Sequence, residues 1–238
     1  MAFIRERYYR LPHLRPGRSA LAHTAPRAER IMSDPTPEPR SDGLPRWLGV
    51  LVFACVAAGA ALRFAWPGDV EFKGDERWML ERATAMARQE AWSWSGMESS
   101  AVVQNPGASV WAFAGLSRVF GLETPPELSM GVAACGLLAL LLAAWVALRV
   151  VAPGEREAWL WGVALAAVTP TAVVLQRKIW AQSLLPLAAV ALWWCWLRRD
   201  RWSGALGWGA LAMLMGQGHM TGFVLAAALA GWTRWRSG

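Results

Sequence analysis

Apolar residues in this chain gather into long uninterrupted runs, and charged residues are largely confined to the segments between them. Runs at about 47–66, 130–151, 159–175, 180–197, 204–216 and 220–232 read as membrane-crossing helices. The first has about 20 residues, enough at ~1.5 Å per residue to cross ~30 Å of hydrocarbon, and Trp47 and Trp66 would mark its interfaces. The last two, at about 13 residues each, fall short of the ~17 needed for an upright crossing. They would be tilted helices, a helical hairpin or a re-entrant pair sheltered by other helices. The pattern predicts an all-α, polytopic integral membrane protein with about six transmembrane helices.

The segment 67–129 between the first two spans has a different pattern. After Lys73-Gly74-Asp75-Glu76-Arg77-Trp78, the residues Met79, Ala83, Met86 and Ala87 recur at helical spacing, predicting an amphipathic helix able to lie on a membrane surface. Asn105-Pro106 predicts a second helix start, with Asn as N-cap and Pro at the first helical position. Val110, Trp111, Ala114, Leu116 and Val119 then form its apolar surface, and Gly121 ends it. The two juxtamembrane helices flank Trp92-Ser93-Trp94. Residues 1–45, rich in Arg and Pro and without an apolar period, read as a disordered basic tail, and 46–236 as the membrane domain. Met32 offers an alternative start, so residues 1–31 are candidates for an over-extended reading frame.

Composition agrees with the pattern: 55% of the 238 residues are hydrophobic and 17% charged, with 17 Trp. The net charge of +7 comes from arginines in the tail and at the ends of apolar runs. Arg149 with Arg156, Arg198-Arg199 with Arg201, and Arg234 with Arg236 fall on the same side as the tail, which makes that side cytoplasmic. The opposite loop, 67–129, carries more acids than bases. The chain is thus expected in the inner, cytoplasmic membrane, multi-pass, with its N-terminus cytoplasmic. Nucleic-acid binding is excluded as the meaning of the charge, because the aromatics lie beside or inside apolar runs. Cys55, Cys135 and Cys195 lie in apolar stretches without metal-ligand spacing, and no Walker loop, HExxH or GxSxG occurs.

Asp75 and Glu76 are adjacent acids just outside the first span. They read either as first-turn acids that a helix N-terminus welcomes or as the carboxylates of a site. Their order along the chain, with Asn105-Pro106-Gly107, Gln176-Arg177-Lys178-Ile179-Trp180-Ala181-Gln182 and Gly216-Gln217-Gly218-His219-Met220-Thr221-Gly222, resembles the N-terminal half of a GT-C membrane glycosyltransferase. That superfamily includes protein O-mannosyltransferases and aminoarabinose transferases, and the resemblance covers about residues 47–235. Its members usually have ten or more spans and a further soluble domain, so the chain is expected to be an N-terminal portion.

The resemblance implies a transferase that moves a sugar from a polyprenyl-phosphate carrier in the bilayer to an extracytoplasmic acceptor, whose identity the residues do not define. Asp75 is then the expected general base. Glu76, ~100° around the helix, would orient the acceptor or hold a cation. Arg177 and Lys178 sit on the side where basic residues are scarce, and either bind the leaving phosphate, or reach lipid headgroups or pair with the acids of the 67–129 loop. Lys73, Gln217, His219 and Asn105 complete the candidate binding set, each with a plainer reading as surface charge, helix cap or helix contact. No cofactor is implied, and a need for divalent metal is left open. The alternative from another class is a non-catalytic membrane protein, transporter-like or an assembly subunit.

Overall fold

The chain is described here by a computed structural model covering residues 43–98 and 103–237. The tail read over residues 1–45 lies, apart from Gly43, Leu44 and Pro45, outside the described residues. Among the described residues 75% are helical and 4% are in strands, in agreement with an all-α class. The order is α1 (Arg46–Phe64), α2 (Gly74–Ala87), β1 (Ser95–Glu98), β2 (Gln104–Pro106), α3 (Ala108–Phe120), α4 (Pro125–Arg149), α5 (Arg156–Val168), α6 (Pro170–Leu175), α7 (Leu185–Leu197), α8 (Trp202–Gly218) and α9 (Thr221–Ser237). Only α1 and α4, at 19 and 25 residues, are long and apolar enough by themselves to cross a membrane among the described residues.

Several boundaries depart from the sequence pattern, each for a local reason. Helix α4 begins at Pro125, ahead of the expected Met130, because Thr124 serves as N-cap and the Glu127 carboxylate accepts the N–H groups of Thr124 and Glu123 at 2.9 and 3.1 Å. The run expected as one span at 159–175 is broken. Thr169 is extended (ψ 122°), and Pro170, which has no N–H and disfavours a helical residue before it, opens α6. Helices α8 and α9 reach 17 residues each, longer than their apolar runs, because helix continues through Trp202-Ser203, Gln217-Gly218 and Thr233-Arg234.

The expected helix start at Asn105-Pro106 is corrected. These residues end β2, which pairs antiparallel with β1, and Gly107 is the N-cap of α3. Asn105 Nδ2 donates to Met97 O at 2.8 Å, so its amide holds the ribbon together instead of capping a helix. Gly121, in the left-handed conformation (φ 67°), ends α3 as the pattern indicated.

Three apolar clusters hold the described residues together. Met79 and Ala83 of α2 pack with Val110 and Phe113 of α3, Leu128 and Val132 of α4, and Ile179. Leu48 and Val52 of α1 pack with Ala147 of α4 and Leu160, Val163 and Ala164 of α5. Leu192 and Trp196 of α7 pack with Met215 of α8 and Leu229 of α9. Helix α1 thus runs parallel to α5, since Trp47 meets Trp161 (ring centroids 6.0 Å apart) and Arg63 meets Ala167. Trp145–Trp194 and Trp159–Trp193 ring pairs, at 5.3 and 5.6 Å, gather near the end carrying Arg149, Arg156 and Arg198.

The break after α5 has a buried partner that the sequence pattern does not show. Pro170 cannot donate to Ala166 O, and extended Thr169 takes the chain away from Ala167 O. Arg63, 1% exposed, fills the gap: its Nη1 donates to Ala167 O (2.7 Å) and Gly59 O (2.8 Å), and its Nε to Gln176 Oε1 (2.7 Å). Gly59 and Gly136 make this approach possible, because a Cβ at the first would collide with Ala167 O and one at the second would lie 2.7 Å from Gln176 Oε1.

Candidate functional site

The turns opposite the Arg- and Trp-rich end bring Lys73, Glu76, Arg177 and Lys178 close, while Asp75 does not line their cleft; the arrangement starts from the segment between α6 and the 3-10 turn Ala181–Leu184 that leads into α7. This irregular segment is pinned at three points. Ser183 Oγ donates to Leu175 O (2.7 Å), Ser129 Oγ of α4 donates to Arg177 O (2.6 Å), and Ile179, fully buried, inserts into the α2–α3–α4 cluster. Both serines are buried. With Ile179 fixed, Lys178 is directed at the start of α2 and Arg177 at the segment following α1.

Lys178 lies within a ring of acidic and aromatic partners. Its Nζ is 2.5 Å from Glu71 Oε2, 3.9 Å from Glu76 Oε1 and 4.0 Å from the centroid of the Trp180 ring, with its side chain 12% exposed. Glu71 also pairs with Lys73 at 2.5 Å. Hydrogen bonds from Lys178 and Lys73 hold the Glu71 carboxyl down at about 2, and Glu71 raises Lys73 above its ordinary value in return. Lys73 is therefore brought to the cluster, though through the exposed face of Glu71.

The two adjacent acids divide. Asp75 is exposed in the first turn of α2, whereas Glu76 is 1% exposed and turned inward. Glu76 Oε2 accepts the backbone N–H of Lys73 (3.1 Å), the carboxylate half of a capping box. Glu76 Oε1 has no hydrogen-bond partner, since 3.9 Å to Lys178 exceeds hydrogen-bond reach. The ammonium of Lys178 faces Glu76 across that distance, and Lys73 also feels its charge.

Arg177 Nη2 donates to Asp69 O at 2.7 Å and also to Trp66 O, stitching α6 to the chain leaving α1. Arg177 and Lys178 line one small cleft of about 180 Å³ with Asp69, Val70, Glu71 and Val174. His219 forms a neighbouring link: Nε2 is 2.9 Å from Gln182 Nε2 and Nδ1 is 2.9 Å from Thr221 Oγ1. Burial lowers the His219 pKa, favouring the neutral ring. Gln182 thus ties the segment that carries Lys178 to the α8–α9 turn, but His219 does not line the cleft.

Gln217 is exposed at the end of α8, and Asn105 belongs to the β ribbon, so neither joins the cluster. Gln176, buried, joins helices through Arg63. Pairing of Lys178 with an acid of the 67–129 loop is thus the plainer reading realised; sequence reasoning did not single out Glu71 as that acid, although its place two residues before Lys73 in an acidic stretch was a usable signal. Among the described residues no three His, Cys, Asp or Glu side chains gather as a metal site. Comparison with protein-family models, curated proteins and solved structures finds no match to this chain.

Proposed function

We propose that this chain is a multi-pass membrane glycosyltransferase of the GT-C kind, or the N-terminal portion of one, acting at the extracytoplasmic face on a polyprenyl-phosphate-linked sugar. The observation carrying this reading is Lys178, nearly buried between Glu71 and Glu76 beside Arg177 at the edge of a cleft. An ammonium and a guanidinium side by side suit the one charge of a phosphodiester donor and the second that builds on the leaving phosphate, and a carboxylate cluster beside them suits a reaction that moves a proton. The bilayer setting is supported by α1, apolar along its length yet with only 22% of its spanning window buried, and by exposed Val50, Phe53, Leu138 and Leu141 on α1 and α4.

In this reading the acceptor oxygen attacks the anomeric carbon, the carbon–oxygen bond to phosphate breaks, and the bond pair leaves on the phosphate. Arg177 and Lys178 stabilise that charge, Lys178 exchanging Glu71 for a phosphate oxygen. Asp75, the exposed acid of the pair, takes the acceptor's proton. Glu76, buried and bonded to the Lys73 N–H, steers Lys178. The test is transfer by the purified chain in nanodiscs supplied with a polyprenyl-phosphate sugar library. Asp75→Asn is expected to lower transfer about 10²- to 10⁴-fold, and equal transfer by both proteins would refute Asp75 as the base. Lys178→Met is expected to weaken donor binding about tenfold to a hundredfold.

The engagement of Arg177 with two carbonyls favours a second reading, in which the cluster is a strut in a non-catalytic membrane subunit. That reading expects no transfer with any donor in the library and a loss of stability alone from Lys178→Met.

A further inference from the structure

A second concave feature lies apart from the Lys178 cluster, between the C-terminal end of α2 and the outer face of α3. It is an open groove of about 580 Å³ lined on its apolar side by Met86, Ala87, Trp92, Trp111, Ala114 and Gly115. Gln89, Glu90 and Arg118 supply its polar edge. The residues entering it are held in place: Gln89 adopts a left-handed backbone (φ 64°) that turns the chain sharply out of α2. Arg118 Nη1 donates to Ala87 O at 3.2 Å, and with the Gln89 amide assigned so that its oxygen faces Arg118, that oxygen accepts from the same guanidinium at 2.7 and 2.9 Å.

The aromatic wall is a platform. Trp92 and Trp111 rest on one another at 5.5 Å and 37°, and Trp94 braces them edge-on at 5.6 and 6.4 Å. Trp111 is fixed by its Nε1, which donates to Ser93 O at 2.6 Å. An aromatic cage for a quaternary ammonium group surrounds a central space, whereas these rings contact each other and remain in part open to solvent, Trp92 being 57% and Trp111 37% exposed. Such a surface suits a flat ligand with polarised C–H groups on one face and hydroxyls around its edge.

We infer that this groove is a saccharide-binding site, which takes a neutral pyranose unit of a glycan against Trp92 and Trp111. The carboxylate of Glu90 can accept from neighbouring hydroxyls in pairs, while the amide N–H groups of Gln89 and the N–H groups of Arg118 not spent on Gln89 and Ala87 can donate to a ligand's oxygens. One acid and one base line the groove, so its charge is balanced and fits an uncharged ligand better than an anionic headgroup. An acyl chain in the groove would leave Glu90 and Arg118 against hydrocarbon. The inference does not depend on the Lys178 cluster being catalytic.

The test uses the whole chain in nanodiscs and saturation-transfer difference NMR with mannotriose, cellotriose and chitotriose at millimolar concentration. Saturation of at least one sugar is expected, and Gly115→Phe and Glu90→Ala should each weaken it about tenfold or more. A Cβ at Gly115 meets nothing within 4 Å, so the introduced phenyl ring can enter the groove without displacing the core. No saturation of any of the three sugars, or binding unchanged in both variants, overturns the proposal. A Gly115→Cys variant with the three native cysteines replaced by Ser separates sugar from lipid. Labelling by a water-soluble maleimide, slowed by the bound trisaccharide, supports the proposal, and resistance to labelling because acyl chains fill the groove overturns it.

Discussion

Glu71 accepts from two ammonium groups at once, and this double partnership gives the cluster its pH dependence. A carboxyl whose folded pKa is depressed from 4.5 to about 2 contributes stability that is fully present above pH 4.5 and is lost as pH falls towards the folded value. The melting temperature of wild type should therefore exceed that of Glu71→Gln by a constant amount above pH 4.5, with the gap closing between 4.5 and about 2. A gap that closed instead on raising the pH would show that Glu71 is not the group responsible. At this scale, Glu76, Arg177 and Lys178, which the structure brings together, were legible because charges beside long apolar runs are conspicuous. Which acid would meet Lys178 was not, because the choice of Glu71 depends on how closely the segment after α1 approaches α6. Arg63 was hidden for a similar reason: its partners are carbonyls freed by a helix break, and carbonyls leave no mark in a sequence.

Helix ends, more than helix bodies, position the candidate site. The segment from Leu175 to Trp180 belongs to no long helix and is held by Ser129, Ser183 and the buried side chain of Ile179. Ile179→Ala should destabilise the protein by about 2–5 kcal/mol and, by releasing Lys178 from Glu76, weaken any anion binding at the cleft. Ile179→Val should cost about 0.5–1.5 kcal/mol and leave the anion binding intact. Unfolding in a graded detergent series, with binding of a polyprenyl phosphate measured in parallel, checks both; binding unchanged in Ile179→Ala would mean that Ile179 does not position Lys178. The Arg63 clamp gives a second expectation. Gly59→Ala pushes a Cβ into Ala167 O, and the forced separation of α1 from α5 should cost about 1–3 kcal/mol in the same unfolding series. The helices themselves could be read from apolar runs and the Gly121 stop. The pairing of β1 with β2 could not, because Asn105-Pro106 permits a helix start as well as a strand end and the partner strand decides between them; the break at Thr169 and the early start of α4 have local signals, Pro170 and the Thr124–Glu127 capping box, that a reading by apolar runs passes over.

At the scale of the molecule, the contacts alternate in direction. Helices α1 and α5 run parallel, α4 runs against them, and Gly68 after α1 falls at the end opposite Gly154 before α5. Only α1 and α4 satisfy the length and apolarity of a crossing helix by themselves among the described residues, so a membrane arrangement rests on whether the α5–α6 and α7–α9 segments complete the layer with them. Their exposed apolar side chains, Leu165 on α5, Leu206 and Met213 on α8 and Val224 on α9, would be solvated at lower cost by lipid than by water. Single cysteines decide between the two. A Cβ at Gly68 or Gly154 meets nothing within 4 Å, so Gly68→Cys and Gly154→Cys, in a chain with the native cysteines replaced, should fold as the parent does. With the Arg-rich end cytoplasmic, an impermeant maleimide added to intact cells should label the Gly68→Cys chain, and the Gly154→Cys chain only after permeabilisation. Labelling of the Gly154→Cys chain alone in intact cells, or of neither until lysis, would show that the end bearing Lys178 does not face outward, and an extracytoplasmic transfer site would fall with it.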